Sequence, residues 1–260
     1  MPDFLDDLAS GARETIEQGY YEEALKVNAP TLSLREAILK CKSASVISEV
    51  KFASPSMGAI KRERDLKRIV RDMEEGGAIG ISILTEPKHF KGHINFIAKV
   101  RGLVSTPILM KDIILSPIQI DAASKVGANA ILLIKALFER GYCEVSLHEM
   151  IGYAHSKGLE VLLEAHTQDG FLSALKTEAD IVGINNRDLS SLKVDLEVTE
   201  KILVRHSDFG GKVIVSESGI KEPKDIRRLH KYGVHGFLVG TAIMKAKDIK
   251  GKVKELVEAL

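Results

Sequence analysis

Eight short apolar runs alternate along this chain with amphipathic segments, and this alternation restricts the fold more than any other feature. The runs are about five or six residues long, rich in β-branched side chains and without polar alternation, as in parallel strands buried on both faces. In chain order from Val46 they are VISEVK, IGISILT, TPILMK, NAILLI, LEVLLEAH, DIVGIN, KVIVSES and HGFLVGT.

The segments between these runs carry the start and stop signals of helices. Ser116 and Pro117 provide an N-cap and a first-turn proline for a helix that stops at Gly127. Pro223 opens another helical segment, which Gly233 closes. The chain therefore consists of repeated strand-helix units.

Eight such units fit in residues 46–260 without a Pro/Gly/Ser-rich linker, and ~250 residues is typical of a (β/α)8 barrel. An open doubly wound sheet is the alternative, but its glycine fingerprint GxGxxG is absent, as is the phosphate loop GxxxxGK[ST]. We predict one (β/α)8 TIM barrel domain over residues 1–260.

Residues 1–45 precede the first strand and are predicted to form a helical extension. Phe4, Leu5 and Leu8 make an apolar stripe, and Ser33 with Glu36 has the pattern of a capping box. We expect the extension to pack across one mouth of the barrel. It could serve stability alone or form part of a substrate pocket.

Charge and composition exclude several classes of protein. The 37 Lys+Arg and 36 Asp+Glu give a net charge of +1, whereas nucleic-acid-binding domains usually carry a basic excess. No apolar run reaches the ~20 residues that span a bilayer, and the acidic first residues do not resemble a signal peptide. With only 2 Cys, a cytoplasmic protein without nucleic-acid or membrane partners is expected.

Polar side chains close five of the eight apolar runs. Glu49 and Lys51 lie two residues apart on the first run, so they share a face that can look into the barrel. The carboxyl ends of barrel strands converge on one cavity, and burying these charges is costly unless they pair or function. The other four candidates that close a run are Lys111, Glu164, Asn185 and Glu217.

Small and hydroxyl residues follow three of the strands. The loops after strands seven and eight of a barrel commonly bind phosphate through backbone N–H groups, and glycine permits the close approach. The candidates are Ser54 and Ser56 after the first strand, Ser218 and Gly219 after the seventh, and Gly240 and Thr241 after the eighth. Metal binding is not expected, because no carboxylate completes the spacing of His89 and His93.

Seven motifs together resemble the indole-3-glycerol-phosphate synthase family, in order from about Val46 to Met244. They are Glu49-Val-Lys51-x-x-Ser54-Pro55-Ser56, Ser82-Ile-Leu-Thr85 with Phe90 following, Pro107-Ile-Leu-Met-Lys111-Asp112, Leu163-Glu164-Ala-His166, Gly183-Ile-Asn185-Asn-Arg187-Asp188-Leu189, Ser216-Glu217-Ser218-Gly219-Ile220 and Leu238-Val-Gly240-Thr241.

The resemblance implies the indole-forming step of tryptophan biosynthesis. 1-(2-Carboxyphenylamino)-1-deoxyribulose 5-phosphate would close its ring with loss of CO2 and water, and no cofactor or metal is implied. Lys111 would be the general acid on the carbonyl, and Glu164 the acid/base group of the dehydration. Lys51 and Arg187 would hold the anthranilate carboxylate, with Lys51 a second acid.

The remaining implied roles are supportive. Glu49 would orient the two lysines, with Glu49 and Glu164 as the carboxylates that keep Lys111 protonated against the effect of burial. Asn185 and Glu217 would give polar support. The apolar wall of the pocket is implied to be Phe90, Leu132 and Leu189.

The chain departs from the family pattern at two positions, and two alternatives stay open. Ile113 stands where Phe is frequent and Met57 where a basic residue is frequent, which bears on ring packing and phosphate affinity. The alternatives are phosphoribosylanthranilate isomerase, although neither Cys41 nor Cys143 closes a strand, and a catalytically silent barrel that binds a phosphorylated metabolite. The sequence leaves monomer and homodimer open.

Overall fold

Eight parallel strands form a closed barrel in the computed structural model of the chain, which describes residues 3–54, 58–60, 65–189, 191–206 and 208–260. Each strand pairs with the next along the chain, and the eighth pairs with the first. The strands are β1 Ser45–Val50, β2 Gly80–Leu84, β3 Ile108–Lys111, β4 Ala130–Ile134, β5 Glu160–Ala165, β6 Ile181–Asn185, β7 Val213–Glu217 and β8 Gly236–Val239. The predicted barrel is confirmed, with one strand in each apolar run.

Helices connect the strands as the stop and start signals predict. Ser116 caps a helix that has Pro117 in its first turn, and the helix beginning at Pro223 buries Ile226 and Leu229. The helices are α1 Phe4–Glu17, α2 Leu34–Lys40, α3 Leu66–Glu75, α4 Asn95–Val100, α5 Pro117–Lys125, α6 Lys135–Glu139, α7 Leu147–Ser156, α8 Gln168–Ala174, α9 Glu197–Leu203, α10 Pro223–His230, α11 Thr241–Lys245 and α12 Ile249–Val257.

Two hydrophobic clusters lie on opposite sides of the strands. One fills the space between the strands and the surrounding helices, and Val50 belongs to it. The other lies inside the barrel and includes Ile47. Because alternate residues of a strand point to opposite faces, Glu49 and Lys51 share the inward face with Ile47, as predicted.

The extension covers both mouths of the barrel, so the expectation of a single mouth was wrong. Phe4 and Leu8 of α1 line the cavity at the carboxyl ends of the strands. α2 packs at the other end, where Leu34 lies against Gly80, the first residue of β2. Both helices belong to the inner cluster. One part of the extension therefore shapes the cavity, and the other closes the opposite mouth.

Polar contacts fasten each helix of the extension to the barrel. The Glu160 carboxylate, at the start of β5, accepts hydrogen bonds from the backbone N–H groups of Leu34 (2.7 Å) and Arg35 (3.0 Å). At the cavity end, Arg140 pairs with Asp3 and Asp6, each at 2.7 Å. These bonds join residues more than 120 positions apart, so the position of the extension depends on contacts with the middle of the chain.

The predicted capping box at the start of α2 forms only in part. Ser33 Oγ accepts a hydrogen bond from the backbone N–H of Glu36 at 2.9 Å. The Glu36 side chain pairs instead with Arg35 and Lys40.

Among the described residues, no helix is long and apolar enough to cross a membrane.

We predict that Leu34→Ala lowers the free energy of unfolding by roughly 2–5 kcal/mol, because it leaves a cavity inside a packed core. Leu34 is fully buried at the closed mouth. Urea denaturation measures the change. Leu39→Ala on the same helix is the control, since Leu39 is 48% exposed, and its unfolding free energy should change by about 0.5 kcal/mol or less. Equal losses in the two variants would contradict this role of Leu34.

Candidate active site

A cavity of about 1040 Å³ opens at the carboxyl ends of the strands. It brings together all six residues predicted from strand ends, and the three apolar residues implied by the resemblance also line it. The polar lining includes Glu49, Lys51, Lys111, Glu164, Asn185, Arg187 and Glu217, and the apolar lining includes Phe4, Leu8, Leu84, Phe90, Ile113, Leu132, Ile134 and Leu189.

Lys111 lies between two carboxylates at the inner rim of the barrel. Its ammonium is 2.6 Å from Glu217 Oε2 and 3.3 Å from Glu164 Oε2. The expected partner Glu49 is not in contact with it, because Glu49 Oε1 pairs with Lys51 at 2.7 Å. The charge of Glu49 still raises the pKa of Lys111, as predicted, but the nearest carboxylate is Glu217, which was not predicted as a partner.

The carboxylates near Lys111 raise its pKa by more than burial lowers it, as the predicted role of general acid requires. Burial lowers the pKa of Lys111, but the negative charges of Glu217, Glu164 and Glu49 raise it well above the ordinary value. The ammonium therefore stays protonated while it faces the cavity. An acid in this position can donate a proton whenever a bound group becomes more basic.

The two carboxylates that share Lys111 differ in proton affinity. Burial raises the pKa of Glu164, but Lys111, His166 and a hydrogen bond from Asn185 together hold it below the ordinary value. Burial raises the pKa of Glu217, and the charges of Glu164 and Glu49 keep it high despite Lys111. Of this pair, Glu164 therefore has the lower proton affinity.

Asn185 and Arg187 come from the end of β6. The Asn185 side-chain oxygen accepts a hydrogen bond from the backbone N–H of Arg187 at 3.0 Å, which fixes the turn out of the strand. The Arg187 guanidinium donates to the backbone oxygen of Leu192 at 2.9 Å and lies within the electrostatic reach of Glu49 and Glu164. The arginine is thus held on the same side of the cavity as Glu164.

The loops after β7 and β8 line the cavity. Ser218 has φ 67° and Gly219 has φ 89°; glycine adopts this conformation readily, but it is costly for Ser218. A Cβ on Gly219 would lie 2.7 Å from Val194. Both residues line the cavity together with Gly240 and Thr241.

Gly240 lies against the side chain of Glu49, a contact that the sequence did not predict. A Cβ there would lie 2.5 Å from Glu49 Oε1, so the absent side chain makes room for the carboxylate that holds Lys51.

Of the two candidate serines after β1, only one belongs to the described residues. Ser54 pairs through its backbone with Gly58 in a short hairpin, and Ser56 lies outside the described residues.

Sequence reasoning missed Glu86, a buried carboxylate of the cavity wall. Its oxygens accept hydrogen bonds from the backbone N–H groups of Lys88 (2.9 Å), His89 (2.7 Å) and Phe90 (2.9 Å). Glu86 thereby sets the loop that carries Phe90. It stands two residues beyond the end of β2, so a search for charges slightly past each strand would have found it.

Asp112 was noticed only as part of a motif, yet it is almost completely buried and lines the cavity. It accepts hydrogen bonds from Thr85 Oγ1 (2.5 Å) and the backbone N–H of Ile113 (2.7 Å), and a further one from Tyr21. Tyr21 belongs to the extension, so this network ties the extension to the end of β3. Burial raises the pKa of Asp112 to about 6.

Comparison with known proteins identifies the family of this chain. The indole-3-glycerol phosphate synthase family matches residues 7–256. The chain belongs to this family. Membership confirms the resemblance drawn from the seven motifs and the predicted enzyme class, a carboxy-lyase of tryptophan biosynthesis. It decides against phosphoribosylanthranilate isomerase and against a catalytically silent barrel.

Curated relatives in the family are similar over most of their length. An indole-3-glycerol phosphate synthase of Caldanaerobacter subterraneus subsp. tengcongensis is 39% identical over 92% of this chain and 90% of its own. One from Aquifex aeolicus is 38% identical over 91% of this chain and 90% of its own. One from Methanocaldococcus jannaschii is 41% identical over 87% of this chain and 83% of its own.

Solved structures at lower identity share the fold. A thiamine phosphate pyrophosphorylase from Pyrococcus furiosus has a TM-score of 0.62 at 21% identity, and the match covers 87% of this chain and 97% of that one. An N-acetylmannosamine-6-phosphate 2-epimerase from Clostridium perfringens has a TM-score of 0.61 at 16% identity, over 84% and 93%. These likenesses concern the barrel and not the reaction.

We predict that Asp112 makes the folded state more stable as the pH falls through about 6, because its raised pKa lets the folded state bind a proton that the unfolded chain, with a pKa of 3.8, has released. This contribution is fully present below pH 3.8 and is lost as the pH rises from 3.8 through about 6. Asp112→Asn should lack this dependence. Urea denaturation of both proteins from pH 4 to pH 7 should show unfolding free energies whose difference changes by roughly 3 kcal/mol at most. Parallel curves would contradict the prediction.

Proposed function

We propose that the chain forms indole-3-glycerol phosphate from 1-(2-carboxyphenylamino)-1-deoxyribulose 5-phosphate with the residues that line the cavity. The observation that carries the proposal is the protonated Lys111, held between Glu164 and Glu217 beside an apolar wall. The reaction needs a strong proton donor next to an aromatic ring, and this is the chemistry that such a wall and ammonium supply.

Net charge contributes little to binding of this substrate. At the inner rim, Lys51, Lys111 and Arg187 balance Glu49, Glu164 and Glu217 when all six are ionised, so these six charges sum to zero. The substrate carries a carboxylate and a phosphate. Its affinity therefore depends on local placement, with cations at the carboxylate and backbone N–H groups at the phosphate.

Lys111 acts first, on the carbonyl carbon of the substrate. The ring carbon that bears the carboxylate attacks this carbon while Lys111 donates a proton to the carbonyl oxygen, which becomes a hydroxyl. The carbon–carboxylate bond then breaks, CO2 leaves, and its electron pair restores the aromatic ring. Lys51 and Arg187 hold the carboxylate until it leaves, and Lys51 can serve as a second acid.

Glu164 acts in the dehydration that follows. The new hydroxyl takes a proton from Lys51 and leaves as water, and the neighbouring CH2 group loses a proton, for which the Glu164 carboxylate is the acceptor. The hydrogen bond from Asn185 keeps Glu164 in place. Glu217 holds Lys111, and Glu49 holds Lys51.

The two ends of the substrate are assigned to different parts of the cavity. Phe90, Leu132 and Leu189 contact the aromatic ring. The phosphate lies at the loops after β7 and β8, where Ser218, Gly219, Gly240 and Thr241 supply backbone N–H groups, with Ser54 and Ser56 from the loop after β1. We also propose a cytoplasmic location, and a reaction without metal or cofactor.

We predict that the wild-type protein makes indole-3-glycerol phosphate with a metal chelator present, and that Lys111→Ala lowers kcat by roughly 10²–10⁴ with little change in KM, because only a positioned proton donor is lost. Product fluorescence follows the reaction. Lys111→Arg should not restore the rate, because guanidinium donates protons poorly at neutral pH.

The control for these variants is Lys67→Ala, an exposed lysine on α3, which should leave kcat unchanged. A well-folded wild-type protein that forms no product would overturn the proposed function. Near wild-type kcat in Lys111→Ala, when chemistry is rate-limiting, would transfer the role of general acid to Lys51.

We predict that inorganic phosphate raises Tm, because an anion that binds only the folded protein stabilises it by mass action. Thr241→Glu places a carboxylate at the start of α11 and should abolish the increase by repulsion. Differential scanning calorimetry measures both. Ser173→Glu adds the same charge on the exposed face of α8 and should keep the increase. An undiminished increase in Thr241→Glu would place the anion elsewhere.

A further inference from the structure

His166 lies beside the catalytic carboxylate without a role in the proposed reaction. It follows β5 two residues after Glu164, so both side chains point to the same face of the strand. Its Nε2 is 3.1 Å from Glu164 Oε1, and the side chains are 10% and 3% exposed. The imidazole is therefore a buried neighbour of the group that must take up a proton.

Both ring nitrogens of His166 are shielded from solvent, and neither has an aligned hydrogen-bond partner among the described residues. A buried polar group without a partner reduces stability, so folding alone gives no reason to retain a histidine here. Nε2 nevertheless lies 3.1 Å from the Glu164 carboxylate.

Glu164 presents its two oxygens to different partners. Oε2 is 3.3 Å from Lys111 on the cavity side, and Oε1 is the oxygen that faces His166. Because Oε2 accepts a hydrogen bond from Lys111, Oε1 is the oxygen that takes up the proton, and His166 is its direct neighbour.

We propose that His166 is the positioning residue and proton acceptor of Glu164, an inference that rests on the proposed function. After Glu164 has taken the proton of the dehydration step, the O–H bond at Oε1 breaks and an N–H bond forms at Nε2. This regenerates the carboxylate and leaves an imidazolium next to it. The proton is the only species transferred, so the step needs no further reactant.

The charges around this pair come from several elements. Lys111 on β3 contacts the same carboxylate, Arg187 acts from the loop after β6, and Glu217 on β7 shares Lys111. Asp169 on α8 is exposed, and Lys135 at the end of β4 pairs with Glu139. The imidazolium would thus face the Glu164 carboxylate directly, with the Lys111 ammonium on the far side of it.

Single-turnover rates and their pH profile test this assignment in the whole protein. His166→Gln, with nearly the same volume, should lower the single-turnover rate roughly 10²-fold, with little change in KM and with a pH profile that differs from that of the wild type. His166→Ala should regain rate when imidazole is added, a response that a purely structural role would not produce. His155→Gln is the control, because His155 lies on α7 and pairs with Asp180 at 2.9 Å.

An unchanged rate and pH profile in His166→Gln would overturn the inference. A loss that imidazole does not restore, in a variant with wild-type circular dichroism and Tm, would also overturn it by assigning His166 to packing. Both outcomes are distinct from failure of the proposed function, in which the wild-type protein itself forms no product.

Discussion

The buried ammonium of Lys111 is the constraint on which the rest of this structure depends. A charge in this position is tolerable only when it is paired and hydrogen-bonded, and two carboxylates from β5 and β7 meet that need. The three strands must therefore keep their places around a closed barrel. Apolar packing below and the extension above shield the group from water, which strengthens each of these electrostatic interactions.

The need to pair buried charges also explains why the charged residues of the cavity form two groups, one around Lys111 and one around Lys51. Glu49 is engaged by Lys51, and the absent side chain of Gly240 leaves room for it. Lys51 thus has Glu49 as its own partner, and Lys111 has Glu164 and Glu217. Removing one member of either group would leave a buried charge with fewer partners. The polar lining is a set of coupled pairs and not a row of independent groups, so substitutions within it should not act additively.

The sequence predicted the barrel well because its signals are local. Apolar runs, helix caps and the side-chain alternation of Glu49, Val50 and Lys51 depend on neighbours in the chain, and the structure agrees with them. What the sequence could not predict are contacts across the barrel, such as the preference of Lys111 for Glu217 over Glu49. The cover of both mouths by residues 1–45 was missed for the same reason. These features depend on distances that only the closed fold defines.

The fastening of α1 and α2 also has a consequence for how the chain reaches its folded state. Their anchors, Arg140 for Asp3 and Glu160 for Leu34, lie in the middle of the sequence, so the helices made before the barrel have no docking site until β4 and β5 have left the ribosome. Domains generally fold from the amino terminus during synthesis, and contacts of high sequence separation form slowly. In this chain the earliest residues to emerge are among the last to be ordered, and until then their apolar stripes are open to chaperones.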